Sequence, residues 1–273
     1  MPELTTPPVT GSPAQASAKA SAPIDPPAAA TTLGARREST SLKGAAAEDA
    51  VKLKEFVQDN RHFSLVRNFR LADCVTLGNG FCGALSLFSS AEYLRTNEQR
   101  FLWHALAYPV LGMIFDALDG KVARWRHESS MLGQELDSLA DSISFGVAPA
   151  FVAWTLGLRT PLDRLILTLF ICSGIARLAR FNATVALVPK DATGKSKYFE
   201  GLPIPSSLLI CAAMAVCVRE GRFEGPQGQG NGLPWGLVEP VRRHTGIEVH
   251  WAALVFAGWA AAMISKTLRI PKF

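Results

Sequence analysis

Apolar sequence is missing from the first 50 residues of this 273-residue chain. No stretch there contains the about 7–15 apolar residues at the heart of a secretory signal, so no cleavable signal is expected. The segment is instead rich in Ala, Pro, Ser and Thr (TTPPVTGSPAQASAKASAPIDPPAAATT), which cannot bury enough apolar surface to offset the entropy of ordering. Residues 1–50 are expected to be a disordered tail, and Arg36-Arg37-Glu38-Ser39 within it suits a basophilic kinase or, on the favoured reading, is simply solvated chain. Paired cysteines are absent too. Cys74, Cys82, Cys172, Cys211 and Cys217 all fall in apolar runs without CxxC units, so buried free thiols are expected in place of a thiolate metal site. The net charge of +5 is not massed in one basic patch either. Its Lys and Arg are spread along segments that flank apolar runs, which argues against nucleic acid and for anionic lipid head groups as partners.

Charge is scarce in six stretches: 74–91, 101–115, 142–158, 165–176, 202–218 and 251–265. Six such runs, separated by short charged segments, leave too little polar surface to coat a soluble helical bundle. A helix rises about 1.5 Å per residue and needs about 20 residues to cross a ~30 Å hydrocarbon core, a length several runs reach only with their polar ends included. The expected fold is therefore an all-α integral membrane protein, with a six-transmembrane-helix bundle over 51–273 after the tail. Lys and Arg set its orientation. One side would carry sixteen of them (in 52–70, 121–126, 177–197 and 266–272) and the other eight (in 95–100, 159–164 and 219–243). The richer side faces the cytosol, which places both termini and residues 116–141 there and the Gly-rich stretch 220–248 in the lumen.

Within this apolar background, residues 116–141 read DALDGKVARWRHESSMLGQELDSLAD. A carboxylate at the bilayer centre costs roughly 2.5–3.5 kcal/mol on insertion scales, so four aspartates need water, cations or both. At about 100° per residue, Asp116, Asp119, Gly120 and Ala123 share one helix face with Arg124 beside it. Asp137 and Asp141 share a face of the next helix. If the two helices are antiparallel neighbours joined by a loop at 125–132, the four carboxylates converge near the cytosolic membrane surface. No His or Cys joins this all-oxygen set, which favours hard cations, Mg²⁺ or Mn²⁺. Two such ions can clamp a phosphate or pyrophosphate. Gly120 and Ala123 leave room for a bulky ligand, Gly133 allows similar close packing, and Arg124 offers a forked donor to phosphate.

These residues resemble the CDP-alcohol phosphatidyltransferases. The family's spacing D-x2-D-G-x2-A-R-x8-G-x3-D-x3-D is met by Asp116, Asp119, Gly120, Ala123, Arg124, Gly133, Asp137 and Asp141. The resemblance implies a six-helix membrane enzyme, a homodimer, that displaces CMP from a CDP-linked lipid or alcohol. It implies metal ligation by Asp116, Asp119 and Asp137, with Asp141 as general base and a further candidate ligand, around two divalent cations, Mn²⁺ or Mg²⁺. Nucleotide or pyrophosphate contacts from Gly120 and Arg124 are implied as well, and a weaker one from Ser130.

That signature leaves the acceptor open. TLGNGFCGALS at 76–86, ARLARFN at 176–182 and YFEGLPIPSS at 198–207 resemble membrane-embedded phosphatidylserine synthases, which implies CDP-diacylglycerol and L-serine as substrates; the long low-complexity tail suggests a eukaryotic chain and hence an endoplasmic reticulum location. Arg177 and Arg180, at i and i+3, both face one anion in that reading, the serine carboxylate or a lipid phosphate; snorkelling at a membrane edge is the plainer account. Glu200 either meets the ammonium or is simply solvated. Asn79, an amide in an apolar run, bonds either a substrate or another helix. Pro203 and Pro205 suit the start of a helix. Competing functions are a sister transferase using glycerol phosphate or inositol, a divalent-cation transporter, which expects carboxylates along a path near the midplane, and a scaffold, which gives no reason for four aspartates.

Overall fold

A computed structural model describes residues 71–126, 131–185, 198–238, 242, 246, 248–265 and 269–271; of 123–126, 131, 184–185, 198–200 and 269–271 it describes the backbone alone. The expected tail over 1–50 and the position of Ser130 lie outside the described residues.

The chain begins with two long antiparallel helices, α1 (Leu71–Thr96) and α2 (Gln99–Arg126). Asn97 turns the chain between them in a left-handed conformation (φ 62°), its N–H donating to the Tyr93 carbonyl at 2.8 Å. Next comes an interrupted rod: α3 (Met131–Asp141), a π-helical turn (Ser142–Val147) and α4 (Ala148–Thr155). The long helix α5 (Pro161–Val185) returns along the bundle. A short 3₁₀ turn (Ile204–Ser207), with Pro203 as its N-cap and Pro205 in its first turn, leads into α6 (Leu208–Arg219), and the last helix is α7 (Trp251–Ile264). A two-stranded ribbon pairs β1 (Tyr198–Glu200) with β2 (Arg269–Pro271).

The polarity of α1 is the reverse of a soluble helix. Its buried face carries Asp73, Thr76, Asn79, Gly83, Ser86 and Ser90, while Leu77, Phe81 and Phe88 point outward. Small and polar residues inside with large apolar ones outside suit a hydrocarbon surrounding, where helices gain by close approach and by hydrogen bonds between them. On α2, Val110, Ile114 and Leu118 are likewise exposed, and Pro109 is accommodated inside the helix. Among the described residues, three helical segments are long and apolar enough to cross a membrane: Leu71–Thr96, Gln99–Val122 and Leu132–Thr155. Two shorter apolar helices, Ile204–Arg219 and Trp251–Ile264, accompany them.

Packing centres on Phe145, Phe170 and Phe256, the last two meeting edge to face at 5.2 Å between ring centroids, which joins α5 to α7. Helix α1 packs along α2 and also against α3, the π turn and α4. Helices α2 and α3 both pack along α1.

At the end of the bundle away from residues 116–141, Thr160 and Asp163 cap α5 reciprocally. The Thr160 N–H donates to Asp163 Oδ2 (3.2 Å) and the Asp163 N–H to Thr160 Oγ1 (3.1 Å). His250 completes the arrangement, donating its backbone N–H to Asp163 Oδ1 (3.0 Å) and its Nδ1–H to Oδ2 (2.6 Å) just before α7 begins. The other end is tied differently. The Leu202 N–H donates to the Ala262 carbonyl at 3.1 Å, and Gly201 (φ 77°) approaches so closely that a Cβ would lie 2.5 Å from the Met263 carbonyl oxygen.

Candidate functional site

Four helices contribute to the acidic end: the first turns of α1, the last turns of α2, all of α3 and the last turns of α5. Asp116 and Asp119 sit three residues apart on α2, so they project from one face, and Asp137 comes from α3. One carboxylate oxygen from each of these three lies within 4.8 Å of the others. Asp119 is 8% exposed and Asp141 7%. Asp137 Oδ1 is buried with no hydrogen-bond partner among the described residues.

Carboxylates so crowded and so poorly solvated need cations between them. The donor set fits divalent metal ions: three oxygens of one compact cluster, one carboxylate atom left without a proton donor, and no nitrogen or sulfur ligand among them. Asp141 is outside the triad, though close enough for the other charges to act on it.

Helix α1 supplies no carboxylate to the triad but holds two of the four aspartates. Thr76 donates its hydroxyl to Asp119 Oδ2 at 2.6 Å, and Asn79 its amide to Asp141 Oδ1 at 2.9 Å. Thr76 and Asn79 are i and i+3, so one face of α1 meets both. The two readings of Asn79 are thus resolved toward another helix. Thr76 escaped the sequence analysis, because a threonine in an apolar run gives no sign of its partner; its place in TLGN three residues before Asn79 was the one available signal.

The remaining candidates divide. Gly120 is half-buried beside Asp119. Arg124 lies on the last turn of α2, with its side chain outside the described residues; Gly133 is half-buried on α3. The two arginines of α5 part company. Arg177 is 9% exposed, lies within electrostatic reach of Asp141 and leaves its Nε buried without a hydrogen-bond partner. Arg180 donates from a terminal guanidinium nitrogen to the Ile264 carbonyl at 3.0 Å, which fastens α5 to the end of α7. Asn182, from the same stretch of sequence, is bonded to Ser138 of α3 at 3.0 Å. Helix α5 is thereby held against the helix that carries Asp137 and Asp141.

Comparison with known proteins agrees with this geometry. The family profile described as CDP-alcohol phosphatidyltransferase matches residues 69–259. A CDP-diacylglycerol–serine O-phosphatidyltransferase of Saccharomyces cerevisiae is 47% identical over 225 residues, 82% of this chain and 78% of the relative. Proteins of the same name from Bacillus subtilis (36% over 138 residues, 48% of this chain and 67% of the relative) and Methanocaldococcus jannaschii (33% over 148 residues, 54% and 61%) are also similar.

Proposed function

The chain belongs to the CDP-alcohol phosphatidyltransferase family, and from that premise we propose that it transfers the phosphatidyl group of CDP-diacylglycerol to L-serine, giving phosphatidylserine and CMP. The single observation that carries the proposal is the triad Asp116, Asp119 and Asp137 beside a separately held Asp141. The serine acceptor rests on the name of the Saccharomyces cerevisiae relative, a CDP-diacylglycerol–serine O-phosphatidyltransferase similar along most of both chains.

In this reading Asp116, Asp119 and Asp137 would hold two divalent cations, Mg²⁺ or Mn²⁺, near the membrane surface. Such ions, when bound, offset the charge of the pyrophosphate and of the attacking and leaving oxygens. Thr76 fixes the Asp119 carboxylate, as an outer hydrogen bond commonly does for a ligand. Gly120 leaves space for the nucleotide, and Arg124 and Ser130 contact its phosphates and sugar-base half. Asp141 takes the proton of the serine hydroxyl, whose oxygen bonds to the phosphorus bearing diacylglycerol. The bond from that phosphorus to CMP breaks, and CMP leaves with the electron pair. Arg177, buried next to Asp141 with an unpartnered Nε, receives the serine carboxylate. Arg180 steadies the rim from its bond to Ile264 and adds to the positive field there.

Six helical passes make up the membrane domain: α1, α2, the α3–α4 rod, α5, the 3₁₀ turn with α6, and α7. Helix α5 has 25 residues, about 37 Å at the usual rise, and its charged residues sit toward its ends. The positive-charge bias supports an acidic end facing the cytosol, in keeping with a homodimer of the endoplasmic reticulum membrane that draws serine from the cytosol. A transporter is disfavoured, because the carboxylates cluster at one end of the bundle rather than along a path through it.

The test is turnover by the purified full chain in detergent. Radiolabelled serine and CDP-diacylglycerol should yield phosphatidylserine with Mg²⁺ or Mn²⁺, and none after chelation. Product from glycerol phosphate or inositol but not from serine would reassign the acceptor.

A further inference from the structure

The four aspartates are chemically alike, yet three crowd together and the fourth stands apart. We propose that Asn79 makes that division as the positioning residue of Asp141, holding Oδ1 of that carboxylate so that the other oxygen is kept for the acceptor hydroxyl. The inference rests on the reading of Asp141 as base given above.

Asn79 is itself held from three sides. It is fully buried, and its backbone carbonyl accepts a hydrogen bond from Ser144 Oγ at 2.8 Å, across from α1 to the π turn that directly follows Asp141. Its amide nitrogen must face Asp141, because the flipped amide would set two acceptors against each other. Its Oδ1 then points at Gly112 of α2, where a Cβ would lie only 2.7 Å away, and has no hydrogen-bond partner among the described residues. Gly112 is one turn before Asp116, so the same helix that provides two carboxylates also leaves the notch into which the amide fits. Gly83 gives the matching clearance on α1, since a Cβ there would meet Ser144 Oγ at 2.6 Å. An amide buried with one atom unsatisfied is a poor way to pack two helices; alanine or leucine would serve better. Its orientation is what the arrangement preserves.

The alternative is that Asn79 merely fastens α1 to α3. A fastener would affect folding or the whole site together, whereas a positioning residue affects turnover with the metal triad intact. The full chain with Asn79→Ala should therefore keep its KM for CDP-diacylglycerol within about two-fold while kcat falls by about 30-fold or more, the scale of a misplaced general base. The rise in melting temperature given by CMP with Mn²⁺ should persist, since Asp116, Asp119 and Asp137 are untouched. A kcat within about three-fold of the parent, or a loss of CMP–Mn²⁺ stabilisation along with turnover, would overturn the assignment. Gly112→Ala presses on Asn79 Oδ1 without removing any polar group, and it decides the matter if Asn79→Ala does not fold. It should lower kcat by about five-fold or more with CMP–Mn²⁺ stabilisation retained, and an unaltered kcat would refute the proposal. All ratios are taken on whichever acceptor the parent chain uses, so a wrong acceptor shows in the parent's products and a wrong role for Asn79 in the ratios.

Discussion

The bundle buries a carboxylate group at each end and treats the two in opposite ways. Asp163 is fully buried and fully answered: the backbone N–H groups of Thr160 and His250 and the His250 ring all donate to it. At the other end Asp116, Asp119 and Asp137 face one another, and Asp137 Oδ1 is left with no donor among the described residues. A carboxylate whose two oxygens both meet donors within the fold has no need of a ligand, and its work is to tie α5 to the start of α7. Crowded carboxylates with an oxygen that no described donor reaches are a demand for cations. Burial alone does not mark a site; crowding of like charge with too few donors does.

Exchanging charge for amide at each end should break this contrast if it is false. The largest effect is expected for Asp137→Asn and Asp141→Asn, each reducing phosphatidylserine formation by roughly 10²–10⁴-fold in protein that still inserts and elutes as the parent does. Near-parental turnover in either variant would remove it from the chemistry. Next come the two arginines of α5. Arg177→Ala should raise the serine KM by about ten-fold or more, the worth of a charge-assisted hydrogen bond, and the KM for CDP-diacylglycerol much less. Arg180→Ala should raise it by a smaller factor, because that guanidinium already donates to Ile264. Equal effects on serine KM would mean that both arginines hold the acceptor. The smallest effect on catalysis belongs to Asp163→Asn. It should cost about 1–3 kcal/mol of stability, read as a lower melting temperature in detergent, with kcat within about two-fold of the parent. A kcat loss at Asp163 comparable to that at Asp137 would collapse the distinction between the two ends.

Parts of both ends were legible in the sequence. Thr160-Pro161-Leu162-Asp163, with a hydroxyl at the cap, proline at the first helical position and an acid two residues on, carries a helix-start signal that the sequence analysis did not take up. Asp116, Asp119, Asp137 and Asp141 were legible as a set because their spacings repeat the helical period inside apolar runs. The helical columns were legible from charge scarcity, though the runs misjudge their lengths: α2 continues past its apolar run to Arg126 and so carries both of its aspartates, and the third rod is broken by a π turn after Asp141. Asn79 was visible as an amide needing a partner, but the partner lies 62 residues along the chain, beyond any local pattern. His250 gave no sign of Asp163, 87 residues away, for the same reason.

The sequence by itself determined the membrane class, the end of the bundle that carries the acidic residues and the four carboxylates that belong together, since each of these follows from composition or from helical period, which are local. Only the tertiary structure decided how those carboxylates are divided, that Thr76 and Asn79 of α1 hold one each, that α1 packs along both α2 and α3, and that Arg177 turns to the site while Arg180 turns to α7. Those outcomes depend on which faces of distant helices meet and on which donors reach which oxygens. Distances between helices are set by packing, which no spacing along a single helix encodes.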